Sequence, residues 1–212
     1  MTPNDKTRFK EEAQVRSLAV LNFTPTAKRI DSDHYVEGYA ARYEPYVLFH
    51  DFDGEDIYER FEPGCFDECD MSDIIMQYDH AGKVMARTGN GSLLVEVDDR
   101  GLFTAADLSR TEAARDLYAD IAAGMVTKMS WRFRVGECHY DTETRTIVHT
   151  KVKKIYDVSA VSIPANDNTE INARAWADGE IGQATRREAE LDERRRRLRL
   201  KIHIQEESRN EN

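Results

Sequence analysis

Cysteine is scarce in this chain: Cys65, Cys69 and Cys138 are its only three in 212 residues. An odd count with no Cys-x-x-Cys spacing argues against a disulfide framework and fits reduced thiols. A zinc site built on Cys65 and Cys69 needs a second ligand pair that the sequence lacks, so no metal and no cofactor are expected. No run of about 18 apolar residues occurs, which excludes a helical membrane span. Residues 1–12 are polar and charged and carry no apolar signal core, so the expectation is a protein kept in the cytoplasm. A basic excess is also missing. Lys and Arg number 30 against 40 Asp and Glu. The tail from Trp176 holds nine of each sign, so residues 1–175 carry the whole net charge of −10. An acidic body argues against nucleic acid as the main partner. Internal repeats and low-complexity tracts are absent as well.

What the chain does contain is strand-like alternation. Residues 1–16 read as a flexible arm and 17–23 as a first strand. A second strand is expected over 34–43, with Gly38 at a bulge or close approach. Residues 44–64 read as a long loop with the acidic patch Asp51-Phe52-Asp53-Gly54-Glu55-Asp56, which lacks the spacing of a calcium loop. A short helix over 65–76 is expected to lead into a strand carrying His80. Asn90-Gly91, followed by Leu93-Leu94-Val95-Glu96-Val97, fits a hairpin turn, and Asp99-Arg100-Gly101 turns into a strand over 102–108. A helix over 109–123 is marked by Ser109 and Glu112 as a capping box, by the stripe Ala113, Ala114, Leu117 and Ile121, and by Gly124 as its stop. A strand through Ser130 follows, then a turn at Asp141-Thr142-Glu143-Thr144 and strands over 145–151 and 154–163, the last ended by Pro164. Many strands and one prominent helix suit a mainly β fold, barrel or sandwich, with helices packed outside. The tail differs: 185–197 is charged and helix-compatible, and 198–204 alternates like a strand. The division expected is an arm (1–16), a body (17–175) and a charged helical or extended tail (176–212).

One strand carries chemical interest. Met129, Trp131, Phe133 and Val135 alternate with Lys128, Ser130, Arg132 and Arg134, so one face is core and the other sets a serine among three cations. A serine presented this way becomes a nucleophile if a base reaches it. His80, in Gln77-Tyr78-Asp79-His80-Ala81-Gly82-Lys83, is the candidate base. Adjacent strand residues point to opposite faces, so Asp79 is a poor choice to orient His80. Asp157, an acid within the apolar strand segment Ile155-Tyr156-Asp157-Val158-Ser159, is better placed, because a buried acid usually has a partner. On residues alone Asp157 also reads as a structural ion-pair partner of Lys153 or Arg132, and His80 as an ordinary surface or core histidine.

From about Tyr35 to Arg174 the chain resembles the prohead (capsid maturation) serine proteases of tailed bacteriophages. The resembling segments occur in family order: Gly38-Tyr39-Ala40-Ala41, Phe61-Glu62-Pro63-Gly64-Cys65-Phe66, Asp79-His80 with Arg87-Thr88-Gly89, Asp98-Asp99-Arg100-Gly101-Leu102, the helix ending at Gly124, Met129-Ser130-Trp131-Arg132-Phe133, and Asp157-Val158-Ser159-Ala160-Val161-Ser162-Ile163-Pro164-Ala165. The family is similar in fold to the herpesvirus assembly proteases. The resemblance therefore implies a closed β-barrel ringed by helices, with Ser130 as nucleophile and His80 as general base. The orienting role carries over to Asp157, although the family often has Glu-Val-Ser here and the herpesvirus enzymes use a histidine as third member. The residue after the serine is usually smaller than Trp131, so a reshaped site is expected. Oxyanion donors are expected in the loop after Pro164, with Arg132 or Arg134 nearby.

The resemblance further implies a serine endopeptidase acting inside the immature capsid, in the host bacterial cytoplasm. Its substrates would be the scaffolding protein or an N-terminal scaffolding region of the major capsid protein, and possible self-association and self-cleavage come with it. The tail would tether the enzyme to scaffold or shell. Three other readings stay open on the residues: a non-catalytic capsid-assembly or scaffold-binding protein, a Ser130–Lys128 dyad, and a thiol enzyme using Cys138 with His139.

Overall fold

The computed structural model describes residues 13–20, 28–162 and 167–210, with side chains over 13–16, 28–162 and 177–202. The expectations for 1–12, for 21–23 and for Pro164 lie outside these residues. In chain order the strands are β1 (Gln14–Val20), β2 (Tyr35–Arg42), β3 (Tyr46–His50), β4 (Asp56–Phe61), β5 (Ile75–Tyr78), β6 (Ala81–Arg87), β7 (Leu93–Asp98), β8 (Gly101–Asp107), β9 (Lys128–Asp141) and β10 (Thr146–Val161). The helices are α1 (Glu112–Ala122) and α2 (Asp167–Asn210). The fold is mainly β with some α, as the alternation implied.

A seven-stranded sheet runs β1-β9-β10-β4-β3, with β5 pairing β10 and β6 pairing β5; a three-stranded sheet runs β2-β8-β7. β1 lies against β2, and β6 approaches β7, where the two sheets meet. The pairings among the described residues close neither sheet on itself. The centre is the long antiparallel pair β9–β10. Its inner face carries Met129, Trp131, Phe133, Ile155 and Val158, all buried. Trp131 stacks on Phe133 at 4.1 Å between ring centroids and meets Phe61 edge-on at 5.2 Å. Such aromatic pairs add about 0.5–1.5 kcal/mol beyond the area they bury.

Several expectations are corrected by tertiary context. The first strand begins at Gln14, inside the stretch expected as an arm. The loop expected over 44–64 contains β3 and β4. In β4 the inward positions are Ile57, Glu59 and Phe61, and the charged Glu59 disguised the alternation. Residues 65–74 hold turns, bends and a single β-bridge at Asp70 rather than a helix, and β5 begins at Ile75. Asn90-Gly91 ends a 3-10 turn, Thr88–Asn90, with Gly91 in the left-handed region, and joins the two sheets instead of making a hairpin. Helix α1 starts later than expected: its cap is Thr111, which accepts a hydrogen bond from the Ala114 amide at 3.2 Å, in place of Ser109. The two strands expected after residue 144 are one strand, β10, kinked by register shifts between His149 and Asp157. Opposite them Gly136 lets the Lys151 carbonyl approach, where a Cβ would sit 2.9 Å away.

The tail is one helix through residues 198–204, not a strand. Leu198, Leu200 and Ile202 alternate, but they are exposed and no neighbouring strand offers them a ladder, so the backbone bonds within itself. The helix spans 44 residues, about 66 Å. It rests on β9, β1 and β3, with Ala177 buried and Ile181 packed against the core.

Beneath the sheet lies a sealed ionic cluster. Arg16 donates to both Glu59 oxygens, from Nε at 2.6 Å and from Nη2 at 2.8 Å. His149 Nε2 is 2.8 Å from Glu59 Oε1, the Tyr46 hydroxyl donates to Oε2, and Phe61 stacks on His149 at 4.5 Å. Burial alone would raise the Glu59 carboxyl, but Arg16 and His149 outweigh it and hold the group well below the usual carboxylate range. Burial and Glu59 together push the Tyr46 phenol well above its ordinary value.

A carboxyl depressed in the folded state contributes stability above its unfolded value, about 4.3, and that contribution is lost as pH falls below it. Glu59→Gln is therefore expected to lower the unfolding free energy at pH 7 by roughly 3–5 kcal/mol, because it strands a buried guanidinium. Urea denaturation from pH 7 down to 3 checks this: the wild type loses stability through the acid range, and the gap to the variant narrows.

Candidate active site

β10 lies between β9, which pairs with it antiparallel, and β5, which pairs with it parallel. The β9 register sets Ser159 opposite Ser130 and Asp157 opposite Arg132. Side chains two apart share a face, so all four stand on one face and Trp131 and Val158 on the other. The Trp131 ring accordingly lies in the aromatic core with Phe61, Phe66 and Phe133, away from the serine hydroxyl.

β5 delivers the histidine. Tyr78 pairs with Ala81 in the β5–β6 hairpin, so Asp79 and His80 form its two-residue turn. His80 thus sits on a turn, not within a strand as its sequence setting suggested. Both turn residues have positive φ, 48° at Asp79 and 56° at His80. Two positive φ values mark the mirror-image turn that suits hairpin twist, usually built from Asn-Gly. For residues with a Cβ each left-handed conformation costs about 1–2 kcal/mol. Asp79 offsets part of this. Its carboxylate accepts from the Ser162 amide at 3.0 Å and from the Ser162 hydroxyl at 2.9 Å, and its own amide donates to the Ala160 carbonyl at 3.0 Å.

The turn projects the imidazole between Asp157 and Ser130. His80 Nδ1 is hydrogen-bonded to Asp157 Oδ1, and Nε2 lies 2.6 Å from Ser130 Oγ. A carboxylate at Nδ1 favours the tautomer with its proton there, which leaves Nε2 free to accept. The Asp157 side chain is 3% exposed, and a buried carboxylate needs donors. It has two, His80 and the Ser159 hydroxyl at 2.8 Å, and an ion-pair partner in the Arg132 guanidinium, whose Nε is 3.0 Å from Oδ2. Arg132 Nη2 also donates to the His80 carbonyl at 3.0 Å. Ser130 Oγ has a second acceptor, the Arg16 carbonyl on β1, at 2.9 Å. The single hydroxyl proton therefore has two acceptors, of which only His80 can take it away.

The three residues singled out in the sequence, His80, Ser130 and Asp157, are thus brought into one hydrogen-bonded line. Asp79 turns away from the imidazole, toward Ser162. Lys128 is not among the partners of Ser130, and Cys138 and His139, adjacent on β9, point to opposite faces of the strand. Sequence reasoning missed Ser159, although its position two beyond Asp157 puts it on the same face. It also missed Arg16, because a backbone acceptor leaves no trace in side-chain pattern. The loop after Pro164, expected to supply oxyanion donors, lies outside the described residues. Among the described residues no group of three or more His, Cys, Asp or Glu is placed to hold a metal ion, and no helix is long and apolar enough to cross a membrane.

A family model described as caudovirus prohead serine protease matches residues 24–180. Neither the curated proteins nor the solved structures include a significant match.

Two of the three thiols are held in the protonated form by burial. Burial pushes both Cys65 and Cys69 up to about 12. At pH 8 such thiols are thiolate at a level on the order of one part in ten thousand. A chromogenic disulfide reagent is expected to titrate at most Cys138 quickly in the native protein and all three thiols after denaturation. Fast reaction of two or three thiols in the native state would contradict this burial.

Proposed function

The chain belongs to the caudovirus prohead serine protease family, whose model matches residues 24–180, and on that premise we propose that Ser130 is its nucleophile, His80 its general base and Asp157 the group that orients His80. At the family level the chain is a capsid-maturation protease of the serine class. The observation that carries the residue assignment is the unbroken line Asp157–His80–Ser130, with Nε2 2.6 Å from the hydroxyl.

In this reading the Ser130 oxygen attacks the carbonyl carbon of a peptide bond while its proton passes to His80 Nε2. The imidazolium that forms is stabilised by Asp157 through Nδ1–H. His80 then gives the proton to the leaving amine as the C–N bond breaks. Water, deprotonated by His80 in turn, attacks the acyl-enzyme and releases the second product and Ser130. The substrates are the scaffolding protein, or an N-terminal scaffolding region of the major capsid protein, cut inside the prohead; the chain itself is a further candidate. The two sheets are read as the walls of one barrel of the herpesvirus assembly-protease kind, meeting where β1 faces β2 and β6 faces β7. The charged outer part of α2 is read as a tether to scaffold or shell.

Co-expression with the phage's own capsid and scaffold proteins tests the reading. Wild type is expected to yield truncated products by intact mass, and Ser130→Ala none. His80→Ala is expected to slow cleavage by roughly 10³–10⁴-fold, and Asp157→Asn, which favours the wrong tautomer, by a comparable factor. Identical full-length masses with wild type and Ser130→Ala, in assembled shells, would overturn the assignment. Truncation after Gln183 keeps Ala177 and Ile181 packed and removes the charged part of α2. It is expected to reduce incorporation into proheads, read by gel densitometry of purified shells, without lowering thermal stability.

A further inference from the structure

We propose that Arg132 is a positioning residue for this reaction: its guanidinium ties the strained His80 turn to the Asp157 carboxylate and so holds the imidazole in line with Ser130. The inference rests on the serine-protease reading above.

The turn is the weak point of the site. A general base must keep its nitrogen within about 3 Å of the hydroxyl, yet His80 occupies a left-handed backbone conformation that is uncommon for residues with a Cβ, even though histidine adopts it more often than most. Something must keep the hairpin from relaxing. At Asp79 the restraint is triple: the Ser162 amide, the Ser162 hydroxyl and the Ala160 carbonyl. At the His80 backbone the restraint is the bond from Arg132 Nη2 to the His80 carbonyl, 3.0 Å long.

The same guanidinium fixes the other end of the line. Its Nε stands 3.0 Å from Asp157 Oδ2, the oxygen that His80 does not use. This contact is an ion pair rather than an aligned hydrogen bond, since the Nε–H finds no acceptor in line. One rigid, planar group thus spans the backbone of the base and the carboxylate that orients it. Because Arg132 is two residues beyond Ser130 on β9, the nucleophile shares that strand with the clamp. A lysine has one charged atom and no fork, so it cannot hold both acceptors in this geometry. No hydrogen bond joins Arg132 to Ser130, and its side chain is 34% exposed, so core packing does not account for its placement.

The test uses the full chain and diisopropyl fluorophosphate, read by intact mass. Attack by Ser130 forms an O–P bond, expels fluoride and sends the hydroxyl proton to His80, so the labelling rate reports the base. Arg132→Ala is expected to slow labelling about 10- to 100-fold, the scale of a small misplacement of a catalytic group. The loss is expected in the limiting rate rather than in the reagent concentration for half-maximal rate, because the role inferred for Arg132 is to hold the base and not to bind the reagent. Guanidinium chloride below denaturing concentration is expected to restore part of the rate to Arg132→Ala and none to His80→Ala. Arg132→Lys, which keeps the charge and the stem, is expected to fold and still label more slowly than wild type.

The low-field proton resonance of His80 Nδ1–H gives a second readout: sharp in wild type, broadened in Arg132→Ala and sharpened again by guanidinium. Wild-type rates and an unchanged resonance in both variants would overturn the inference, as would rate losses that guanidinium does not relieve. Absence of Ser130 labelling in wild type would count against the protease reading instead, and the resonance would still decide the role of Arg132.

Discussion

The antiparallel register of β9 against β10 is the constraint on which the site depends. It sets Ser159 against Ser130 and Asp157 against Arg132, and period two then places all four on one face while Trp131, Phe133 and Val158 fill the core on the other. A slip of one residue would turn the nucleophile into the core and a tryptophan toward the histidine. The aromatic stack of Trp131 and Phe133 makes that slip expensive, so the hydrophobic core and the chemistry are specified by the same alternation. The parallel pairing of β5 on the far side of β10 then brings the His80 turn to the same end of the sheet.

Two of the buried carboxylates, Glu59 and Asp157, are the most deeply enclosed among the described residues. Glu59 is closed in by Arg16, Tyr46 and His149, with Phe61 stacked over the imidazole. Every member is buried or packed against the core, and the arrangement holds β1, β4 and β10 together. Asp157 has a similar set of partners in His80, Ser159 and Arg132, but two of these reach solvent: the side chains of His80 and Arg132 are 15% and 34% exposed. Both carboxylates answer the same desolvation problem with the same kind of partner. What distinguishes them is access, and access separates an internal brace from a site where a proton can be exchanged with an incoming group. The two are linked at Arg16, whose side chain serves Glu59 and whose carbonyl accepts from Ser130.

The outward face of β9, the β7–β8 hairpin, the stop of α1 at Gly124 and the pairing of an acid on β10 with a base elsewhere were all legible in residue order. They depend on period, on turn chemistry and on the cost of burying an unpaired charge. Legibility failed where a distant partner overrode a local pattern. β4 looked like loop because its inward-facing Glu59 is charged, and distant partners, Arg16 43 residues away and His149 90 residues away, make that position tolerable. Leu198, Leu200 and Ile202 looked like a strand because they alternate, yet a strand without a neighbour has nowhere to send its backbone hydrogen bonds. Asn90-Gly91 looked like a hairpin, but the strands on either side of it belong to different sheets.

By itself the sequence determined the chemical inventory and the faces: a serine opposite a core face, a histidine and an acid that each need a partner, and a tail unlike the body. These follow from local alternation and from desolvation, which act over a few residues. Only the tertiary structure decided that His80 sits at positive φ on a turn, that Asp79 serves Ser162 rather than the imidazole, and that Arg132 spans His80 and Asp157. Those facts depend on which strands become neighbours, and neighbourhood is set by the packing of the whole sheet rather than by any segment of it.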